Sequence, residues 1–173
     1  FTSHNNAFIT FNGTKILTDV NGIDWVAIYL GQTFELRERT YGMTVTFENG
    51  ATSSWNCARL STWGFTLAPA GIEATVNGDT TINGKIIDSW GQTRYGTNFT
   101  TEMVTPWKSG TICGWWNPTQ GEYTSVTDNF TITATLGLDG NGNAITSGCA
   151  TSFKLDWTIA ASNASGSVVL SYL

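Results

Sequence analysis

The chain has 173 residues, enough for one domain with a buried core, and carries eight basic against thirteen acidic side chains for a formal charge of −5. Charged residues make up only 12% of it, and its four lysines and four arginines are scattered, which excludes a basic nucleic-acid surface. No run approaches the roughly 18 apolar residues of a membrane-spanning helix, while eight Trp, nine Phe and five Tyr provide area to bury and argue against disorder.

The amino-terminal stretch opens on Phe1 rather than methionine, as expected of a processed, secreted chain. Its polar leader "FTSHNN" passes into "AFITFN", so residues 1–12 read as a terminal arm or donor strand, with Phe8, Ile9 and Phe11 as intersubunit candidates. Residues 13–173 show no composition break and form one domain.

Within that domain a period of two dominates. Met43, Val45 and Phe47 alternate with Thr44 and Thr46; Phe130, Ile132, Ala134 and Leu136 alternate with threonines; Phe153, Leu155 and Trp157 alternate with polar residues. Asn-Gly occurs at positions 12, 21, 49, 77, 83 and 141. That pair tolerates the positive φ angles of tight hairpin turns. Strands are expected at 6–11, 14–20, 24–30, 33–38, 42–48, 51–60, 62–68, 72–77, 80–89, 93–104, 110–116, 125–138, 144–160 and 166–172. The pattern predicts an all-β antiparallel β-sandwich, jelly-roll or immunoglobulin/pilin-like, with negligible helix.

Cys57, Cys113 and Cys149 leave one cysteine unpaired within the chain. A long hairpin would bring Cys113 and Cys149 together as a disulfide, leaving Cys57 a buried thiol; three reduced core cysteines are the alternative. His4 is the only histidine and no Cys/His cluster exists, so no zinc site and no cofactor is expected. Asp139, Asn141 and Asn143 have the alternation of calcium ligands, but the glutamate and helices of such a loop are missing, and a hairpin tip explains the segment.

The segment "TICGWWNPTQGEY", residues 111–123, concentrates aromatics. On a regular strand Trp115 and Trp116 point to opposite faces, one inward and the other toward solvent, a partner or a sugar. Trp115, Trp116, Asn117 and Tyr123 are the candidate sugar-binding residues, with Gln120 and Glu122 nearby and Trp63, Trp90 and Trp107 beside turns. A glycosidase needs two carboxylates across a cleft; Glu38 shares a strand face with Phe34 and Leu36, and Glu102 lacks a marked partner. Four acceptor triplets for N-glycosylation begin at Asn12, Asn98, Asn129 and Asn163, whereas Asn117-Pro118-Thr119 is excluded by its proline.

The carboxy-terminal "SGSVVLSYL" is a strand that must find a partner edge. Together these features predict a non-enzymatic, self-assembling fibre- or pilus-like subunit at the cell surface or outside the cell, joined by β-strand complementation. Its partners would be copies of itself, without nucleic acid or membrane insertion. A carbohydrate-binding or adhesin module that meets surface glycans is the second expectation, and a β-sandwich glycoside hydrolase the third.

Overall fold

The computed structural model describes residues 10–20, 31, 33–67 and 70–172. Threonine- and aromatic-rich segments that alternate every second residue suit a pleated surface with two distinct faces, and among the described residues they form eleven strands. These are β1 (Thr10–Asp19), β2 (Phe34–Thr46), β3 (Thr52–Leu67), β4 (Ala70–Gly78), β5 (Thr80–Ile82) and β6 (Lys85–Gln92). They continue with β7 (Asn98–Gly110), β8 (Gln120–Thr127), β9 (Phe130–Leu138), β10 (Ser152–Ile159) and β11 (Ala164–Ser171). All pairings are antiparallel, and the described residues contain no helix.

The strands make one sheet in the order β1-β2-β3-β4-β7-β8-β9-β10-β11. At its centre β3 holds β6 along residues 54–57 and β4 along residues 59–67. β7 likewise holds β6 and β4. The two shorter strands therefore lie in tandem between β3 and β7, and the four pairings close into a small ring. Asn83 and Gly84, at φ 51° and 77°, make the turn by which β5 pairs back on β6.

The expected sandwich is thus corrected to a four-stranded ring with flanking strands. A sandwich requires connections that cross from one sheet to another. Here nearly every turn returns the chain to the adjacent row, so spatial order follows chain order.

Several expected boundaries also shift. Segments 33–38 and 42–48 join as β2, because the chain resumes its pairing with β3 across an irregularity between Thr40 and Met43. Segment 125–138 divides at Asp128-Asn129, a turn without glycine. Of the expected strand 110–116 only Gly110 stays in the sheet, as the end of β7, while residues 111–116 leave it in turns; β10 starts only at Ser152. Of the amino-terminal arm, Thr10–Asn12 pair with Thr46–Thr44 of the chain's own β2. Phe11 sits opposite Val45 there, whereas Phe8, Ile9 and the expected strand 24–30 lie outside the described residues.

The apolar core gathers at the ring. Cys57 and Ala58 of β3, Ala74 and Val76 of β4, Ile87 of β6 and Met103 of β7 are buried. Several of these are small, so backbones approach closely and little apolar area is gained per residue. Buried hydroxyls supplement the packing: Thr40, Ser109 and Ser152 are fully enclosed.

An aromatic groove at the disulfide end

The loop between β7 and β8, residues 111–119, is fastened at several points. Cys113 is joined to Cys149 across a separation of 36 residues, which ties this loop to the one before β10. Ser109 Oγ donates to the Trp115 carbonyl at 2.6 Å, and the Tyr172 hydroxyl donates to the Pro118 carbonyl at 3.3 Å. The Thr119 N–H donates to Lys108 O at 2.9 Å. Turns, not a strand, orient the Trp pair. Trp115 packs on Trp63 with ring centres 5.3 Å apart, and Trp63 stacks on Phe34 at 5.9 Å. Trp116 is 89% exposed.

Together with the neighbouring sheet face this loop encloses an open groove of about 550 Å³. Trp107, Trp115, Trp116, Tyr123, Phe153 and Tyr172 supply its aromatic surface, and Met103, Pro118 and Leu136 fill between them. Phe153 and Tyr172 stack at 5.5 Å. Arg59, Asp88, Ser89, Thr101 and Ser125 supply the polar part of its lining.

Local irregularities aim these side chains. Pairing shifts between Ile87 and Ser89, leaving Asp88 as the extra residue of a bulge, so the adjacent Asp88 and Ser89 both line the groove. A second irregularity, between Thr105 and Lys108, carries Trp107. Gly121 opposite it has φ 150°, and a Cβ there would lie 2.6 Å from Trp107 Cβ. Only glycine leaves that indole its place.

Asp88, 5% exposed, accepts from Arg59 Nε at Oδ1 and from Nη2 at Oδ2, the latter at 2.9 Å. This forked ion pair satisfies both carboxylate oxygens. Hydrogen bonding to Asp88 outweighs desolvation and raises the pKa of Arg59 further. Burial pushes the Tyr123 hydroxyl above its ordinary value, aided by the negative charge of Asp88. Burial likewise raises Tyr172, opposed by the Gly137 N–H that donates to its hydroxyl. Two residues from Arg59 on β3, fully enclosed Cys57 is pushed up to about 12, chiefly by desolvation. It is a packed, protonated thiol.

Of the residues singled out from the sequence, Trp115, Trp116, Tyr123 and Trp107 meet in the groove. Asn117 belongs to the same loop but not to the lining, Gln120 lines a depression beside the disulfide, and Trp90 lines another. The groove also contains Arg59, Asp88, Phe153 and Tyr172, which no sequence pattern united.

The acidic candidates lie in ion pairs: Glu38 with Lys15 at 2.9 Å and Glu102 with Lys85 at 2.5 Å. At the hairpin tip, Asp139 Oδ1 accepts the N–H groups of Asn141 and Asn143 at 2.8 and 2.9 Å. Those bonds hold its carboxyl below the ordinary value, and the turn itself uses the oxygen. Among the described residues no cluster of three metal-ligating side chains occurs.

No protein-family model, curated protein or solved structure matches this chain.

Proposed function

We propose that this protein is a secreted, non-enzymatic surface building block that assembles with copies of itself by strand addition at its sheet edges. The carrying observation is the state of those edges. β1 and β11 end the strand order, and among the described residues no strand pairs with the outer side of either. On β11 the consecutive Val168, Val169 and Leu170 are 38%, 41% and 39% exposed, so both faces of an edge strand present apolar side chains. Soluble monomers usually protect such an edge with charge, proline or a covering element. A strand from a second copy would satisfy the open backbone groups and cover those side chains. The disulfide supports an oxidising, extracellular setting. Thr10–Asn12, with Phe11 opposite Val45, already pair with the chain's own β2, so the proposed donor segment narrows to residues 1–9, with Phe8 and Ile9 docking into the neighbour.

Size-exclusion chromatography and electron microscopy of the full chain test this reading. Filaments or ladders are expected, and they should disappear both in a variant lacking residues 1–9 and in Val168→Lys/Leu170→Lys. A monomer at every concentration, or filaments untouched by either change, would overturn it.

The aromatic groove favours a second reading, a carbohydrate-binding module. Flat rings beside hydrogen-bonding side chains match the alternating C–H faces and hydroxyls of a pyranose. Tryptophan fluorescence should then respond to an oligosaccharide and lose that response in Trp116→Ala. The groove lining holds one carboxylate, Asp88, already engaged by Arg59, so nothing favours the hydrolase over these two.

A further inference from the structure

The strand register brings together four asparagines that are far apart in the chain. Asn12 of β1 pairs with Thr44, Thr44 with Ser54, Ser54 with Gln92, and Gln92 with Asn98. Asn12 and Asn98 therefore lie on one transverse row, with β2, β3 and β6 between them. Next to Asn98, Phe99 pairs with Thr127, and the β8–β9 turn that follows contains Asn129. The Ala160 N–H donates to Asn129 O at 2.9 Å, which places the β10–β11 turn containing Asn163 alongside. All four acceptor triplets thus begin at one end of the sheet. Asn98, Asn129 and Asn163 are exposed, and the two turn positions lie two rows apart, about 10 Å.

The opposite end holds the disulfide, the Trp115–Trp116 lip of the groove, which runs from there to the middle of the sheet, and Asn117-Pro118-Thr119, whose proline disqualifies the triplet. Asparagine is abundant at both ends, so supply of the residue does not explain the division.

We propose that one end of the sheet is an N-glycosylated collar and that the groove end is kept bare for contacts. The modification is a glycosyl transfer from a lipid-diphosphate-linked oligosaccharide. The asparagine side-chain nitrogen bonds to the anomeric carbon and gives up one proton. The bond from that carbon to the diphosphate oxygen breaks, and the lipid diphosphate leaves with the electron pair. No oxidant or reductant is required. The sugar division does not rest on the assembly reading; it adds that the collar faces solvent in an assembled array.

The test uses the chain secreted by a host that N-glycosylates a control protein. Glycopeptides are mapped by mass spectrometry after enzymatic release in ¹⁸O-water, which marks each occupied asparagine as aspartate. Occupancy is expected at two or more of Asn98, Asn129 and Asn163, with those in turns filled most completely. No occupancy at any of them would overturn the proposal.

Pro118→Ala removes the disqualifying proline and so turns Asn117 into an acceptor at the bare end, while Pro118→Ala/Thr119→Val abolishes that acceptor again. A glycan at Asn117, beside Trp116 and Pro118 of the groove lining, should block oligosaccharide binding in the groove, while the control variant and enzymatic trimming of the collar leave it intact. Unimpaired binding with Asn117 occupied, or its disappearance once the collar is trimmed, would refute the division. Site mapping is read separately from filament formation, so failure of the assembly reading and failure of the collar remain distinguishable.

Discussion

Among the described residues Arg59 is the one side chain that hydrogen-bonds the carboxylate of Asp88, so Arg59→Ala leaves that 5% exposed group in the groove without its ion-pair partner. Breaking a buried pair from one side costs about 3–5 kcal/mol. Arg59 is itself 30% exposed along its side chain, so water entering from the groove partly replaces it, and the lower end, about 3 kcal/mol, is expected. With a urea dependence of about 2 kcal/mol per molar, the unfolding midpoint falls by roughly 1.5 M. The assay is equilibrium urea unfolding followed by tryptophan fluorescence and far-ultraviolet circular dichroism together. Arg59→Met/Asp88→Leu replaces both charges with apolar groups and should recover most of the loss. A midpoint for Arg59→Ala within about 0.3 M of the parent, or a double variant as unstable as the sum of the singles, would refute the account of the pair as a buried, mutually dependent unit.

Reducing Cys113–Cys149 reopens a 36-residue loop, for which chain entropy predicts a loss of roughly 4 kcal/mol; thermal melting of Cys113→Ser/Cys149→Ser, with and without reductant, measures it. Asp79 is held below its ordinary 3.8: burial alone would raise it, but hydrogen bonds from Arg39 and Arg37 outweigh that. Its contribution is therefore present above pH 3.8 and is lost as pH falls through the lower folded value. Acid unfolding of Asp79→Asn should lack that component, and an identical pH profile would contradict the assignment. Cys57, with its thiol raised to about 12 and fully enclosed, should resist iodoacetamide at about pH 8 in the folded chain and react once urea is added; rapid labelling of the folded chain would show the enclosure to be wrong. Gly121→Ala should destabilise by about 1–3 kcal/mol through its positive φ and its crowding of Trp107, read by calorimetry and by a change in tryptophan emission.

Alternation of apolar and threonine residues, with Asn-Gly at turns, was enough to identify antiparallel strands without helix, because side chains on a strand repeat every two residues whatever the strand packs against. The pairing of Cys113 with Cys149 was also legible, since a long hairpin returns the chain to its own start. Missed boundaries have local causes: Asp128-Asn129 turns without glycine, and β2 resumes its pairing across an irregularity that resembles a break. The Trp pair illustrates how a partly right expectation can have the wrong basis. Trp115 packs on Trp63 yet is 36% exposed, Trp116 is 89% exposed, and turns and a disulfide orient them, not the pleat of a strand.

What the amino-acid sequence alone determined was therefore the local conformation, the low charge and the inventory of aromatic residues, all of which depend on near neighbours. Only the tertiary structure decided that β4 and β6 share one row, that a bulge turns Asp88 toward Arg59, and that four distant asparagines lie at one end. Those relations depend on strand register and on bulges, in which a shift of one residue reverses every side chain's face. The energies that select one register over another come from contacts between residues tens of positions apart, and no local pattern encodes them.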